Sequence, residues 1–193
     1  MKTVVEVKAV LLGKYAVGKT TLATLYATGK LTHYTDSTIG ASFCCKHIRL
    51  DDSDIKFAIW DTAGTERFNS ILPMYMKVAS VVLLCFDEPI VSDLAQRISV
   101  IRLHTDAPII LIATKIDDGR RYENVESFAK NEGYDFVYTS CFAGIGVTEL
   151  FDLAARKGLE FAKSKNFQVG GEKLVTLVPE PKIEALPTNK CGC

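Results

Sequence analysis

The sequence has no surplus charge of either sign: 23 Lys and Arg face 23 Asp and Glu in 193 residues. A nucleic-acid binder shows a strong basic excess, so that class is set aside. No apolar run approaches the roughly 18 residues of a membrane span. The first residues alternate charged and apolar types, with Lys2, Glu6 and Lys8 among valines, which is no secretory signal. Without one, the six cysteines at 44, 45, 85, 141, 191 and 193 do not read as a disulfide framework. The first four lie in apolar or strand-like surroundings, where buried free thiols are common. Cys44-Cys45 has no second cysteine pair nearby, and His33, His47 and His104 are isolated, so no zinc site assembles from these residues.

What is present is apolar material, 48% of the chain, enough for one sizeable core without disulfides. Strand-like runs at 7–12, 42–50, 55–60, 81–86, 109–113 and 136–139 alternate with helical spacing at 19–27, 91–104, 123–132 and 147–163. Continuous apolar runs are what a parallel sheet covered on both faces requires, and the alternation predicts a doubly wound α/β domain. Ligands in such sheets bind beyond the carboxyl ends of the strands. After about Asn166, Gly170-Gly171, Pro179, Pro181 and Pro187 break the periodicity. A domain over 1–165 and a flexible tail over 166–193 are expected.

Gly13-Lys14-Tyr15-Ala16-Val17-Gly18-Lys19-Thr20 matches the phosphate-loop pattern G-x-x-x-x-G-K-S/T between a predicted strand and a predicted helix. Gly13 and Gly18 let the backbone curl so that successive N–H groups, through Ala16 and Val17, face anionic oxygens. The helix opening at Lys19, Thr20 and Thr21 aims its positive end at the same place. Lys19 can neutralise β- and γ-phosphates, and the Thr20 hydroxyl can coordinate Mg²⁺. Thr114-Lys115-Ile116-Asp117 follows a buried strand at the same sheet edge. A carboxylate there accepts paired hydrogen bonds from guanine N1–H and its exocyclic amine, which adenine cannot offer, while the Lys115 stem covers the base plane. Trp60-Asp61-Thr62-Ala63-Gly64 closes another strand with an acid. Asp61 is placed to hold a Mg²⁺-bound water, and the Gly64 N–H can approach a γ-phosphate because no side chain intervenes.

This order of motifs resembles the Ras superfamily and, within it, the Rab GTPases. Ser37-Thr38-Ile39-Gly40-Ala41-Ser42-Phe43, Leu50-Asp51-Asp52, residues 59–67 and Leu72-Pro73-Met74-Tyr75 are most similar to the early-endosomal Rab subgroup, over residues 5–163. The resemblance implies a P-loop NTPase fold, the G domain: a mostly parallel six-stranded sheet with one antiparallel strand. It implies a monomeric GTP hydrolase that binds GTP or GDP with Mg²⁺ and switches vesicle trafficking. Lys19, Thr38, Gly64 and Thr65 would be its catalytic positions, with Thr38 ligating the metal alongside Thr20. Phe43, Trp60 and Tyr75 match the hydrophobic triad on which Rabs dock effectors. An exchange factor, an activating protein and a prenyl-chaperone are the other partners so implied.

The chain ends Lys190-Cys191-Gly192-Cys193, which resembles the Rab Cys-x-Cys signal for double geranylgeranylation. A CaaX box is excluded, because its cysteine would fall at Lys190. Residues 167–190 carry three lysines and three glutamates, so a polybasic second signal is missing and both cysteines should be needed. The expected location is the cytoplasmic face of intracellular, endosomal membranes, with a chaperoned cytosolic pool.

Several positions depart from the family pattern. Thr65 stands where most Rabs carry the glutamine that orients the attacking water, an exchange also seen in Rap-type relatives. Tyr15 stands where Ras-like proteins usually have a small residue near the γ-phosphate. Slow intrinsic hydrolysis and a mostly GTP-bound resting state are therefore expected, with arginine and glutamine supplied in trans by activating proteins of the TBC type. In the base pocket, Leu31 falls where an aromatic usually stacks on guanine, with Tyr34 near enough to substitute. Thr114 replaces the usual asparagine, as in Rho-type relatives. Thr139-Ser140-Cys141-Phe142 replaces a Ser-Ala-Lys run, so Ser140 and the Cys141 N–H would face the base and Phe142 would take the lysine's place. Two other classes stay open. One is a binding module that holds nucleotide without useful turnover, favoured by Tyr15, Thr65 and the altered pocket. The other is a small-metabolite kinase, which would want an arginine-rich lid where only Arg120-Arg121 cluster.

Overall fold

A computed structural model describes residues 4–31, 41–50, 52–62, 64 and 72–168. Its elements run β1 (Val4–Gly13), α1 (Lys19–Thr28), β2 (Ala41–Leu50), β3 (Ser53–Thr62), α2 (Leu72–Lys77), β4 (Val81–Phe86), α3 (Val91–Arg102), β5 (Ile109–Ala113), α4 (Glu123–Glu132), β6 (Asp135–Tyr138) and α5 (Val147–Gln168). One six-stranded sheet has the order β2-β3-β1-β4-β5-β6. Every neighbouring pair is parallel except β2 with β3. This is the mostly parallel sheet with one antiparallel strand that the resemblance implied.

Successive side chains of a strand face opposite sides, and the core divides accordingly. Val7, Ala9 and Leu11 of β1 join Phe57, Leu83 and Ile110 beneath α1 and α5, where Leu22, Leu150 and Phe151 meet them. Val10 and Leu12 face the other way, with Val82, Leu84 and Leu111, under Met76 of α2, Leu94 of α3 and Val125 of α4. Both faces are covered, as a parallel sheet demands.

Two departures from the sequence expectation, at β1 and α2, have a physical reason. β1 begins at Val4 rather than residue 7, because Glu6 pairs in register with Lys56 and makes ion pairs with both Lys56 and Lys8, each at 3.3 Å. Cross-strand charge extends the strand where burial does not. α2 carries no long periodic pattern; Pro73 in its first turn and the fully buried Met76 hold its six residues in helical form. α5 continues past residue 163 to Gln168. Of the four cysteines described, all free, Cys85 is buried and Cys44 and Cys141 are half-buried, but Cys45 is exposed on the edge strand.

Strands β1, β3, β4, β5 and β6 end at the same edge, and β1 lies at the centre with β3 on one side and β4 on the other. The loop after β1 therefore leaves the sheet where the chain direction of winding reverses, the crevice where ligands of open α/β sheets bind.

Candidate functional site

The loop between β1 and α1 is held by close backbone packing. At Gly13 φ is 152°, and a Cβ there would stand 2.5 Å from the Cys85 carbonyl oxygen and 2.9 Å from Val17 Cγ1. Ala16 (φ 57°) and Gly18 (φ 103°) are both left-handed, which curls the loop into a concave run of the kind that binds anions. Gly18 caps α1 with no side-chain hydrogen bond, and the first turn holds no acidic residue. The positive end of α1 is thus left for an external anion. Lys19 is only 5% exposed, and its Nζ donates to the Gly13 and Lys14 carbonyls at 3.0 and 2.9 Å. The lysine bridges its own loop and keeps a full positive charge inside the curl.

Asp61, 1% exposed at the end of β3, sits opposite. Thr20 Oγ1 donates to its Oδ2 at 2.6 Å, and Ser42 Oγ lies 3.4 Å from the same oxygen. One carboxylate and two hydroxyls form an all-oxygen donor set suited to a hard cation that keeps several waters and shares substrate phosphates, as Mg²⁺ does. No group of three or more His, Cys, Asp or Glu stands ready to hold a metal alone among the described residues. Thr62 Oγ1 donates to the Leu11 carbonyl at 2.7 Å and so locks the end of β3 to β1. Gly64 then reaches the phosphate loop itself: a Cβ on it would meet the Tyr15 N and Cα at 2.8 Å. The Tyr15 side chain, 64% exposed, stands at the mouth.

The second loop follows β5. Thr114 is 3% exposed, and its Oγ1 lies 2.8 Å from the Val17 carbonyl and 3.1 Å from that of Phe86. A single hydroxyl proton shared between these oxygens ties the β5 loop to the phosphate loop. Lys115 has φ 57° and an exposed side chain whose Nζ meets Asp87 Oδ2 at 2.7 Å. Asp117 is exposed, and its Oδ1 accepts a hydrogen bond from the buried Ser140 Oγ. Ser140 Oγ accepts in turn from the Ala143 N–H at 2.9 Å, and the Ser140 and Ile145 backbones bridge. The loop bearing Cys141 is thereby fixed beside Asp117. Burial, with Asp117 adding its charge, pushes the Cys141 thiol up to about 11, so it is a neutral thiol at physiological pH. Phe142 projects 75% exposed from the same loop.

The structure brings Gly13, Ala16, Val17, Gly18, Lys19, Thr20, Asp61, Gly64 and Thr114 into one connected edge, with Lys115, Asp117, Ser140 and Cys141 on the adjoining loops. Thr21 follows Thr20 in the first turn of α1, half-buried, and Leu31 lies two residues beyond the α1 cap Gly29, half-buried. Tyr34, Thr38, Thr65, Cys191 and Cys193 lie outside the described residues. Phe43 and Trp60 pair across β2 and β3 with ring centroids 5.2 Å apart, and Tyr75 of α2 stands 5.3 Å from Trp60. Phe43 is 37% exposed and Met74, next to Tyr75 in α2, is 55% exposed, while Trp60 Nε1 has no hydrogen-bond partner among the described residues. Sequence reasoning missed Ser42 at the Asp61 oxygen and the Thr114 tie to the phosphate loop. A serine directly before an edge-strand aromatic, and a threonine just after a buried strand, give no local signal of either.

Compared with protein-family models, residues 8–160 match the one described as Ras family. That stretch includes both loops, Asp61, and all the strands and helices except the ends of β1 and α5.

Proposed function

The chain belongs to the Ras family of small GTPases, and on that premise we propose that it is a Rab-like, membrane-anchored switch of vesicle trafficking with slow intrinsic hydrolysis. Ras-family proteins bind guanine nucleotide with Mg²⁺ and hydrolyse GTP, and the all-oxygen set at Thr20 and Asp61 suits that ion. When bound, Mg²⁺ neutralises charge that builds on the β- and γ-oxygens. The protein groups do the rest by position. The curl of the phosphate loop and the start of α1 offer N–H groups to the phosphates, and Lys19 adds a desolvated positive charge. Water attacks the γ-phosphorus, the bond to the β–γ bridging oxygen breaks, and GDP and phosphate leave with no covalent enzyme intermediate. In this reading Thr38 helps position the water, Thr65 fills a weakened orienting position, and Tyr15 crowds the approach.

The observation that carries the Rab reading is the Phe43–Trp60–Tyr75 cluster, a half-exposed aromatic face assembled from the strands and helix beside the nucleotide edge. Exposed aromatics of this kind make binding anchors. The tail over 166–193 supplies the anchor through Cys191 and Cys193, and endosomal membranes are the proposed location. The test is fractionation of cells carrying Cys191→Ser, Cys193→Ser or both. The wild-type chain is expected in the membrane fraction and each single variant largely in the soluble one, because one prenyl chain binds only marginally. Equal membrane recovery of the double variant would remove the anchor.

Single-turnover hydrolysis of bound GTP is expected to run about tenfold or more below that of a glutamine-containing Rab, since positioned proton-handling groups contribute roughly 10²–10⁴-fold. A matching rate would defeat the assignment of Tyr15 and Thr65 as brakes. The second reading, a binding module without useful turnover, draws on the Gly64 backbone packed against Tyr15 at the mouth. It requires that phosphate release stay absent even with an activating protein of the TBC type.

Thr114 gives a further expectation. Thr114→Val keeps the shape and removes the shared proton, leaving the buried Val17 carbonyl a donor short. A buried unsatisfied group costs about 1–3 kcal/mol, so labelled GDP should leave about tenfold faster. A release rate within twofold of wild type would show that the tie does not hold nucleotide.

A further inference from the structure

The β4–α3 connection, residues 87–90, belongs to no motif, yet both nucleotide loops are tied to it. From the phosphate loop, Lys14 Nζ reaches Glu88 Oε2 at 3.1 Å and Asp93 Oδ2 at 3.6 Å. Arg97 Nε holds the same Asp93 oxygen at 3.0 Å. From the base loop, Lys115 Nζ takes Asp87 Oδ2 at 2.7 Å. Tyr122 Oη donates to the Asp87 carbonyl at 3.1 Å and Asn124 Nδ2 to the Pro89 carbonyl at 2.9 Å, so the connection is itself held from α4.

We infer that Lys14 is a positioning residue for bound nucleotide, acting through Glu88 and Asp93 and not by touching phosphate. The lever is the Lys14 peptide. Its carbonyl accepts from Lys19 Nζ at 2.9 Å and from the Val17 N–H at 3.4 Å, so the orientation of that one peptide sets where the phosphate-facing ammonium sits. Gly64 packs on the Tyr15 backbone from the far side. The tip of the loop is therefore bracketed, by α3 through charge and by the end of β3 through close contact. Releasing the charged side lets the tip shift and takes Lys19 with it. Lys14 and Lys115 grip adjacent carboxylates, Glu88 and Asp87, so the same short connection sets the spacing between the phosphate and base halves of the site.

The inference rests on nucleotide binding at this loop, and the experiment separates the two. Release of fluorescent GDP is measured for wild type, Lys14→Met, Lys14→Arg, an acceptor-stripped variant carrying Glu88→Gln with Asp93→Asn, and the triple combination. Lys157→Met, which breaks an ion pair to Asp135 at 3.0 Å away from the site, is the control for general loss of surface charge. Lys14→Met and the acceptor-stripped variant are each expected to release GDP about three- to fivefold faster, the upper end for an exposed pair. The triple variant should be no faster than either, Lys14→Arg should restore slow release, and the control should match wild type. At about 1 M salt, where charges are screened beyond roughly 3 Å, the ratio of variant to wild-type rates should approach one. Slower release from the acceptor-stripped variant would overturn the inference, because a lysine freed to reach phosphate would then be a direct ligand. Additive effects, or no effect at either partner, would overturn it equally. A wild-type chain that fails to hold labelled GDP would instead sink the nucleotide reading beneath it.

Discussion

Asp117→Asn is expected to lose GTP by about 10²- to 10⁴-fold and to gain XTP in exchange. Two hydrogen bonds from guanine to a carboxylate are charge-assisted, about 1.5–3 kcal/mol each, which sets the size of the loss. The sign of the gain comes from Ser140. Its hydroxyl accepts from the Ala143 N–H, so its one proton is committed to Asp117 Oδ1. In the variant the amide oxygen takes that place, and the amide nitrogen is turned toward the base. A donor then stands where an acceptor stood, which suits the C2 carbonyl of xanthine and repels the exocyclic amine of guanine. Competition of labelled GDP by GTP, XTP and ATP measures both halves. If Asp117→Asn keeps its preference for GTP, Asp117 does not read the base; if wild type yields equally to ATP, the base is not guanine.

Gly13→Ala is expected to lower stability by about 3 kcal/mol or more and the melting temperature of the nucleotide-free protein by roughly 6–12 °C. The added methyl would lie 2.5 Å from the Cys85 carbonyl oxygen and 2.9 Å from Val17 Cγ1. The first neighbour is backbone of the adjacent buried strand and cannot swing aside; the second is a β-branched side chain with 0% exposure. The φ of 152° adds strain of its own for any residue with a Cβ. Gly18, where a Cβ would meet nothing within 4 Å, provides the contrast. Gly18→Ala carries only the left-handed strain, so its melting temperature should fall by a third or less of the Gly13→Ala shift. Equal shifts at both positions would mean that the contact with Cys85 contributes little.

How far the sequence announced these features depends on how local their causes are. The phosphate loop and Asp117 were legible because each motif is a short run whose backbone must curl or whose carboxylate must stand at a strand end. The cores of β4, β5 and α4 were legible for the same reason, since burial writes a continuous run or a period into consecutive residues. The start of β1 was not, because Glu6 and Lys56 hold it across strands while the local pattern looks polar. The six residues of α2 were missed because packing at Met76, not periodicity, makes them helical. The ties that join the site were least legible. Thr114 meets Val17 across 97 residues and Lys14 meets Glu88 across 74, and nothing near either residue foretells its partner. Trp60 carries no local mark that separates core from docking surface; its edge-on contact with Phe43 and tilted contact with Tyr75 set it on a face.

Among the described residues, the two non-glycine positions with positive φ, Ala16 and Lys115, fall one in each nucleotide loop. Each holds a conformation that an L-residue leaves at a gain of about 1–2 kcal/mol. In the proposed reading, bound nucleotide is one of the interactions that hold both loops in that conformation. Ligand at a thousand times its dissociation constant adds about 4.1 kcal/mol to the folded state, more than the two strains require. The melting temperature of a purified sample is therefore a gauge of how much nucleotide it still carries, and dialysis against a metal chelator should lower it before any part of the chain is altered.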